Sequence, residues 1–505
     1  MGEIRTRNSI RNITAGLLNQ IIALLMPFVI RALIIQKLGV EYLGLNSLFS
    51  SILQVLSLTE LGFGSAMVYS MYRPIAEGNT RLINALLGLY KKVYKYMGLG
   101  ILCVGLLLIP FLKHLIASDY PDSVNLYIIY AIFLANTVIS YFLYAYKSSL
   151  LIAIMRSDID SIITGICNIA MYLLQAIILL FISNYYVYAV LIPAFTAINN
   201  IIRSKVIDLK YPEYKAIGNL SPEIVKGIKK RVVALAGHRL GGVIFSSADS
   251  IIISAFLGLV ILGKYSNYFC VYTAINGMMS VVFQSIIAII GNGIVTQPKE
   301  KNMTDFYHLF FINGWITGVC AICFLCLYQP FMRIWVGEEN MLGISIPILL
   351  SIYYYFANIR KVETTFKDAA GMWSADFWKP YVSVIINITA NIIFVNVIGL
   401  EGVIISSIVA IVCVEIPWEV YVLFHDYFIC SYKKYYLNFI KITMAFLGSA
   451  VVAWFACIIF DEDITGIVIR AVICLVIPNI IAIVVFKNND DYQFWKKKIK
   501  EIIKK

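Results

Sequence analysis

Five ionisable side chains stand where the surrounding sequence is almost entirely apolar. Arg31 lies in "LLMPFVIRALII", Glu60 in "VLSLTELGFG", and His238, Arg239 and Asp249 punctuate the run that ends at Leu257. A guanidinium offers a planar fork that donates paired hydrogen bonds to phosphate or carboxylate. A carboxylate far from water holds a proton, holds a cation or neutralises an arginine. A charge at the centre of an apolar helix costs about 2.5 to 3.5 kcal/mol on insertion scales, so these residues have a task. At helical spacing His238, Gly242 and Asp249 share a face, with Arg239 about 80° round from Asp249. Gln20, Pro27 and Arg31 share a second face, and Asn46, Leu53 and Glu60 a third. Plainer uses exist for each. Arg31 could snorkel outward, His238 and Arg239 could anchor a helix end, and Glu60 could pair with Arg31.

Two basic clusters sit nearer the ends of apolar runs. Lys147 and Arg156 neighbour Asp158 and Asp160, while Arg360 and Lys361 neighbour Glu363, Lys367 and Asp368. Charge at a membrane interface is the plainer explanation, and a basic vestibule that gathers anions the sharper one. Cys320, Cys323 and Cys326 have CxxCxxC spacing, but no fourth ligand or polar shell follows, so they read as small buried hydrophobes. The four histidines are scattered without an HExxH motif, and "GFG" and "GLG" lack the strand–turn–helix setting of a nucleotide fold. No metal, cofactor or ATP site is expected.

The elements that must position these residues follow from composition. Of 505 residues 60% are hydrophobic and 14% charged, with a mean hydropathy of +0.82, against roughly a quarter charged in soluble domains. The expected fold class is an all-α polytopic membrane protein. A span needs about 20 apolar residues, and about fourteen candidates fit, from 11–36 and 43–71 through 342–367 to 437–460 and 464–487. With the N-terminus in the cytoplasm, 34 of the 41 Lys and Arg fall at cytoplasmic ends, four outside and three inside spans, as the positive-inside rule expects. Both termini are therefore placed in the cytoplasm. The net charge of +12 is a product of topology and suggests no nucleic-acid partner. The tail "YQFWKKKIKEIIKK" puts Trp495, Ile499, Ile502 and Ile503 on one face among lysines, the pattern of an interfacial helix.

A repeat organises the spans. "LGVEYLG" (38–44) returns as "LGLVILG" (257–263) after 219 residues, or six spans. The expected domains are an N-terminal six-helix bundle (1–206), a cytoplasmic linker (207–230), a C-terminal six-helix bundle (231–426), two further helices (427–487) and a basic interfacial tail (488–505). An even number of spans makes the two bundles parallel, pseudo-symmetric repeats.

The stretch "SSADSIIISAFLGLVILGKYSNYF" (246–269) resembles the seventh-to-eighth helix signature of bacterial polysaccharide and O-antigen flippases. "LGVEYLGLNSLFSSILQVLSLTELGFGSAMVYSMYRPIAEGN" (38–79) resembles the matching part of their first half. These flippases belong to the multidrug/oligosaccharidyl-lipid/polysaccharide superfamily, in which related lipid II flippases also have fourteen spans. The resemblance implies two six-helix bundles around a central cavity that opens alternately to each side. It implies a cargo of undecaprenyl-pyrophosphate-linked oligosaccharide, a monomer in the bacterial cytoplasmic membrane, and other polysaccharide-assembly membrane proteins as partners.

Moving a diphosphate and a large sugar through hydrocarbon needs fixed cations and hydrogen-bond donors. Arg31, His238 and Arg239 are the candidates for binding it, Glu60 and Asp249 for ion pairing or coupling to a Na⁺ or H⁺ gradient, and Lys147, Arg156, Arg360 and Lys361 for a cytoplasmic vestibule. A few of the 33 tyrosines and 29 phenylalanines are free to stack on sugar rings. Two rivals remain: a cation-coupled multidrug exporter of the same superfamily, and a membrane-embedded polymerase or ligase. Short external loops argue against the enzyme, and Arg31 argues against the exporter.

Overall fold

The computed structural model describes residues 2–57, 62–117 and 120–503, and every regular element among them is helical. The chain divides into two units, Met1–Gly263 and Lys264–Lys505. The first contains α1 (Gly2–Lys37), α2 (Val40–Leu56), α3 (Phe63–Ala76), α4 (Thr80–Leu108), α5 (Leu126–Phe142), α6 (Ser148–Ala153), α7 (Ser157–Phe181), α8 (Tyr185–Lys210) and α9 (Pro222–Leu257), then the start of α10 (Leu259–Thr296). Within it α1 runs along α7, α5 packs on α4 and α8, and α9 lies on α2 and α3.

The second unit continues with α11 (Lys299–Val336), α12 (Ser345–Ile359), α13 (Lys361–Ala369), α14 (Lys379–Ile398), α15 (Leu400–Ala410) and α16 (Ile416–Tyr421). It closes with α17 (Lys433–Ile458), α18 (Ile464–Phe486) and α19 (Asp490–Ile503). Here α11 packs on α12, α17 and α18, and α14 on α15. Buried amides and hydroxyls join the last pair: Asn387 donates to Ser407 at 3.0 Å and Ser406 to Asn391 at 2.6 Å. In lipid such polar contacts take the place of a hydrophobic drive between helices.

Among the described residues eleven helices are long and apolar enough to cross a membrane, or twelve if the bent pair of α5 and 145–153 is one span. The two other expected spans each run through a pair of shorter helices, α2 with α3 and α12 with α13. The breaks have local causes. After α5 the chain turns by 49° through Tyr144 in the left-handed region, φ 61°. Outward faces are apolar, with Phe181 80% and Val397 75% exposed, as a lipid-facing surface requires. The expected 207–230 linker is shorter, because α9 starts at Pro222. Proline at the first position and Glu223 in the first turn both favour a helix start.

The two repeated motifs meet. Gly39 has φ 128° and Gly258, 219 positions later, φ 87°, angles that only glycine adopts cheaply. A Cβ on Gly44 would lie 2.2 Å from the Leu259 carbonyl oxygen, and one on Gly263 would lie 2.2 Å from that of Val40. Val40 and Leu259 are also 219 positions apart. Each motif therefore presents a carbonyl to the other's glycine.

Candidate functional site

A cavity of about 740 Å³ opens in the first unit where α2 ends. Gln54 and Ser57 line it from α2 and its C-terminal edge, Tyr69 and Tyr72 from α3, Tyr90 and Tyr94 from α4, Ser148 and Ser149 from α6, and Val243 from α9. Its polar wall is organised: Ser149 donates to the Tyr90 hydroxyl at 3.2 Å, and Tyr90 donates to that of Tyr94 at 3.0 Å. The Tyr69 and Tyr72 rings are largely exposed, with centroids 6.4 Å apart. Gln54 accepts from Ser247 of α9 at 3.2 Å. No acidic or basic residue is among the described residues that line this cavity. Ring faces beside neutral hydroxyls and an amide suit a sugar, whose C–H faces stack and whose hydroxyls exchange hydrogen bonds.

Arg31 is half-buried on α1 and lies within electrostatic reach of Tyr188 on α8. Tyr188 stacks on Tyr185 at 5.8 Å, and Tyr185 donates to Asn46 of α2 at 2.7 Å. Asp249 is 8% exposed on α9, the helix whose Ser247 reaches Gln54. Asn46 and Gln54 are eight residues apart on α2, roughly 12 Å at helical rise. Arg31 and Asp249 thus border two stretches of one helix, and both belong to the first unit. Glu60 lies outside the described residues. His238 and Arg239 fall on α9, and their side chains lie outside the described residues too.

The basic clusters resolve into ion pairs. Lys147 is buried and donates to Asp208 at 2.6 Å and to Ser204 at 2.7 Å. Arg156 donates to Asp158 at 2.9 and 3.1 Å, a hydrogen bond that raises its guanidinium above the ordinary value. Arg203 pairs with Asp160. In the second unit Arg360 bridges Glu415 and Glu419, contacting the latter at 2.9 Å, and Lys379 binds Glu419 at 2.5 Å and Asp376 at 3.1 Å. Lys367 also pairs with Asp376. Asp160 opens α7 and Lys379, 219 positions later, opens α14, so this position carries opposite charge in the two units, and each finds its partner on the next span.

Lys361 differs from these. It donates to Asn276 at 2.9 Å and Ser280 at 3.2 Å, with no carboxylate in salt-bridge range among the described residues. It lines a second cavity, about 300 Å³, with Arg360, Thr364 and Thr365. The sequence singled out neither this network's Asp208, Arg203, Asp376, Lys379, Glu415 and Glu419 nor the tyrosine cavity. Glu415 and Glu419 lie inside the span Leu400–Phe428, and their partners come from other helices.

No family model matches the sequence, and no curated protein matches it. Solved structures do match. Lipid II flippase MurJ in an inward closed conformation aligns at TM-score 0.69 and 16% identity, covering 95% of this chain and 99% of that one. An inward-facing multidrug resistance MATE family transporter of the MOP superfamily aligns at TM-score 0.63 and 14% identity, covering 82% and 96%. The chain shares the fold of these two structures. A further MOP superfamily transporter, from Pyrococcus furiosus, aligns at TM-score 0.54 and 13% identity over 83% of this chain and 95% of its own. At these identities the MOP fold is what is shared. The resemblance read from residues 38–79 and 246–269 holds at that level, and the chain is a multi-pass membrane protein.

Proposed function

We propose that this chain flips an undecaprenyl-pyrophosphate-linked oligosaccharide across the bacterial cytoplasmic membrane by alternating access, for O-antigen, capsule or exopolysaccharide assembly. The observation that carries this reading is the cavity of the first unit, whose described lining is built of tyrosines, serines and an amide. That described lining matches a glycan, whose ring faces stack on tyrosine and whose hydroxyls meet serine and amide groups. The likeness to MurJ, a lipid II flippase by name, over 95% of the chain supports the same reading. In it Arg31, His238 and Arg239 bind the diphosphate, Lys361 draws it to the cytoplasmic vestibule, and fourteen passes keep both termini inside with α19 on the inner leaflet.

The second reading, a cation-coupled multidrug exporter, is favoured by the buried Asp249 and by the MATE likeness.

Two variants probe the assignment in a strain lacking the gene. Arg31→Ala should fail to restore surface polysaccharide while Arg31→Lys restores part of it, since lysine keeps the charge and loses the fork. Full restoration by Arg31→Ala would reduce Arg31 to a helix anchor. Asp249→Asn should abolish the dependence of transport on a proton or Na⁺ gradient. An unchanged dependence would leave Asp249 as a charge partner only.

A further inference from the structure

The second unit brings a cysteine from each of three helices to one point. Cys326 of α11, Cys457 of α17 and Cys474 of α18 are buried, and their sulfurs lie within 4.8 Å of one another. Cys457 Sγ is 3.9 Å from Cys474 Sγ. Cys323 stands one turn before Cys326 on α11, near Cys474 but outside the group of three whose sulfurs lie within 4.8 Å of one another. The three helices pack pairwise on one another, so the sulfurs collect where their surfaces meet. Cys320, a further turn back, is outside the group, with its thiol against the Tyr354 hydroxyl.

A thiol that only fills space packs against carbon. Here sulfur meets sulfur, from residues 131 and 17 positions apart in the chain. A tetrahedral cation with metal–sulfur bonds of about 2.3 Å holds its sulfurs roughly 3.8 Å apart, close to the Cys457–Cys474 separation. A disulfide would draw two sulfurs to about 2.05 Å and strand the others. The set has no oxygen donor, so it excludes Mg²⁺ and Ca²⁺ and selects a soft ion. Charge is also provided for. The Cys457 thiol donates to the Arg470 carbonyl at 3.9 Å, and Arg470 Nε is buried without a hydrogen-bond partner. Four thiolates around a divalent ion leave two negative charges, and the Arg470 guanidinium, which also lies 3.8 Å from Glu462 and donates to the Phe460 carbonyl, offsets part of them.

We propose that Cys326, Cys457 and Cys474 bind one Zn²⁺ ion that clamps α17 and α18 to α11, with Cys323 turning in from one turn away as the fourth ligand. On binding, each thiol releases its proton to solvent and forms a sulfur–metal bond, with no change of oxidation state. The site explains why the CxxC run of α11 looks incomplete in the sequence: its remaining ligands come from the last two spans.

The test uses the whole protein, purified in detergent under reducing conditions. Metal analysis should find one equivalent of zinc. After chelation, titration with Cd²⁺ should raise a thiolate-to-metal absorption band that saturates at one equivalent. The Cys457→Ser/Cys474→Ser double variant should bind Cd²⁺ roughly 100-fold more weakly or worse, and Cys320→Ser should bind as wild type. If the double variant fails to fold, the wild-type titration and Cys320→Ser decide alone. Absence of the band in wild-type protein, copper in place of zinc, a Cys457–Cys474 disulfide in peptide mapping, or undiminished binding by the double variant would each overturn the proposal.

Discussion

Glu419→Gln will leave little folded protein in the membrane. Glu419 is fully buried and accepts hydrogen bonds from Arg360 at 2.9 Å, Lys379 at 2.5 Å and Thr364 at 3.0 Å. Its removal leaves two buried cations to share Glu415 and Asp376, and Asp376 is already taken by Lys367. Breaking a buried pair from one side costs about 3 to 5 kcal/mol, a large part of an ordinary stability of roughly 5 to 15 kcal/mol. Fluorescence-detected gel filtration and thermal melting in detergent would measure it. Glu77→Gln, which removes the partner of exposed Arg73, should leave melting unchanged, because solvent and salt already screen that pair. Equal melting of Glu419→Gln and wild type would show that the network does not hold the second unit together.

Gly44→Ala and Gly263→Ala should each destabilise by about 1 to 3 kcal/mol, and the double variant by clearly less than their sum. Each new Cβ would stand 2.2 Å from a carbonyl oxygen of the opposing motif, and backbone cannot rotate out of the way as a side chain can. Either methyl alone must push the two turns apart. Once apart, the second methyl enters space already opened, which is why the effects should not add. Gly100→Ala, with nothing within 4 Å of its Cβ, is the control and should be neutral or mildly stabilising, since alanine is the better helix former. Thermal melting of the four proteins decides it. Strict additivity would mean that the two contacts yield independently.

Much of the architecture was legible because lipid imposes a simple grammar. Apolar runs of span length and glycine turns predict a helical membrane protein, and the two "LG" motifs, 219 residues apart in sequence, touch at Gly44 and Gly263. The charged network was harder to read. Lys147 and Arg360 stood out as cations, but their partners Asp208 and Glu419 lie 61 and 59 positions away, and hydropathy carries no signal for which distant carboxylate a buried cation meets. The helix breaks at Tyr144 and Arg360 were hidden for a related reason, because a bent span and a straight one have the same composition. The tyrosine cavity draws on five helices, so no single window of sequence displays it. Cys326 was judged without Cys457 and Cys474, since ligands from separate spans leave no spacing rule to find.

The most direct test is a sidedness measurement. Purified protein is reconstituted into vesicles that carry an undecaprenyl-pyrophosphate-linked oligosaccharide in one leaflet, and a membrane-impermeant reagent reports how much headgroup reaches the other. The proposed function predicts transfer well above protein-free vesicles and its loss in Arg31→Ala. Transfer at the protein-free rate, together with gradient-driven export of a cationic dye, would contradict it and leave a drug exporter on the same fold.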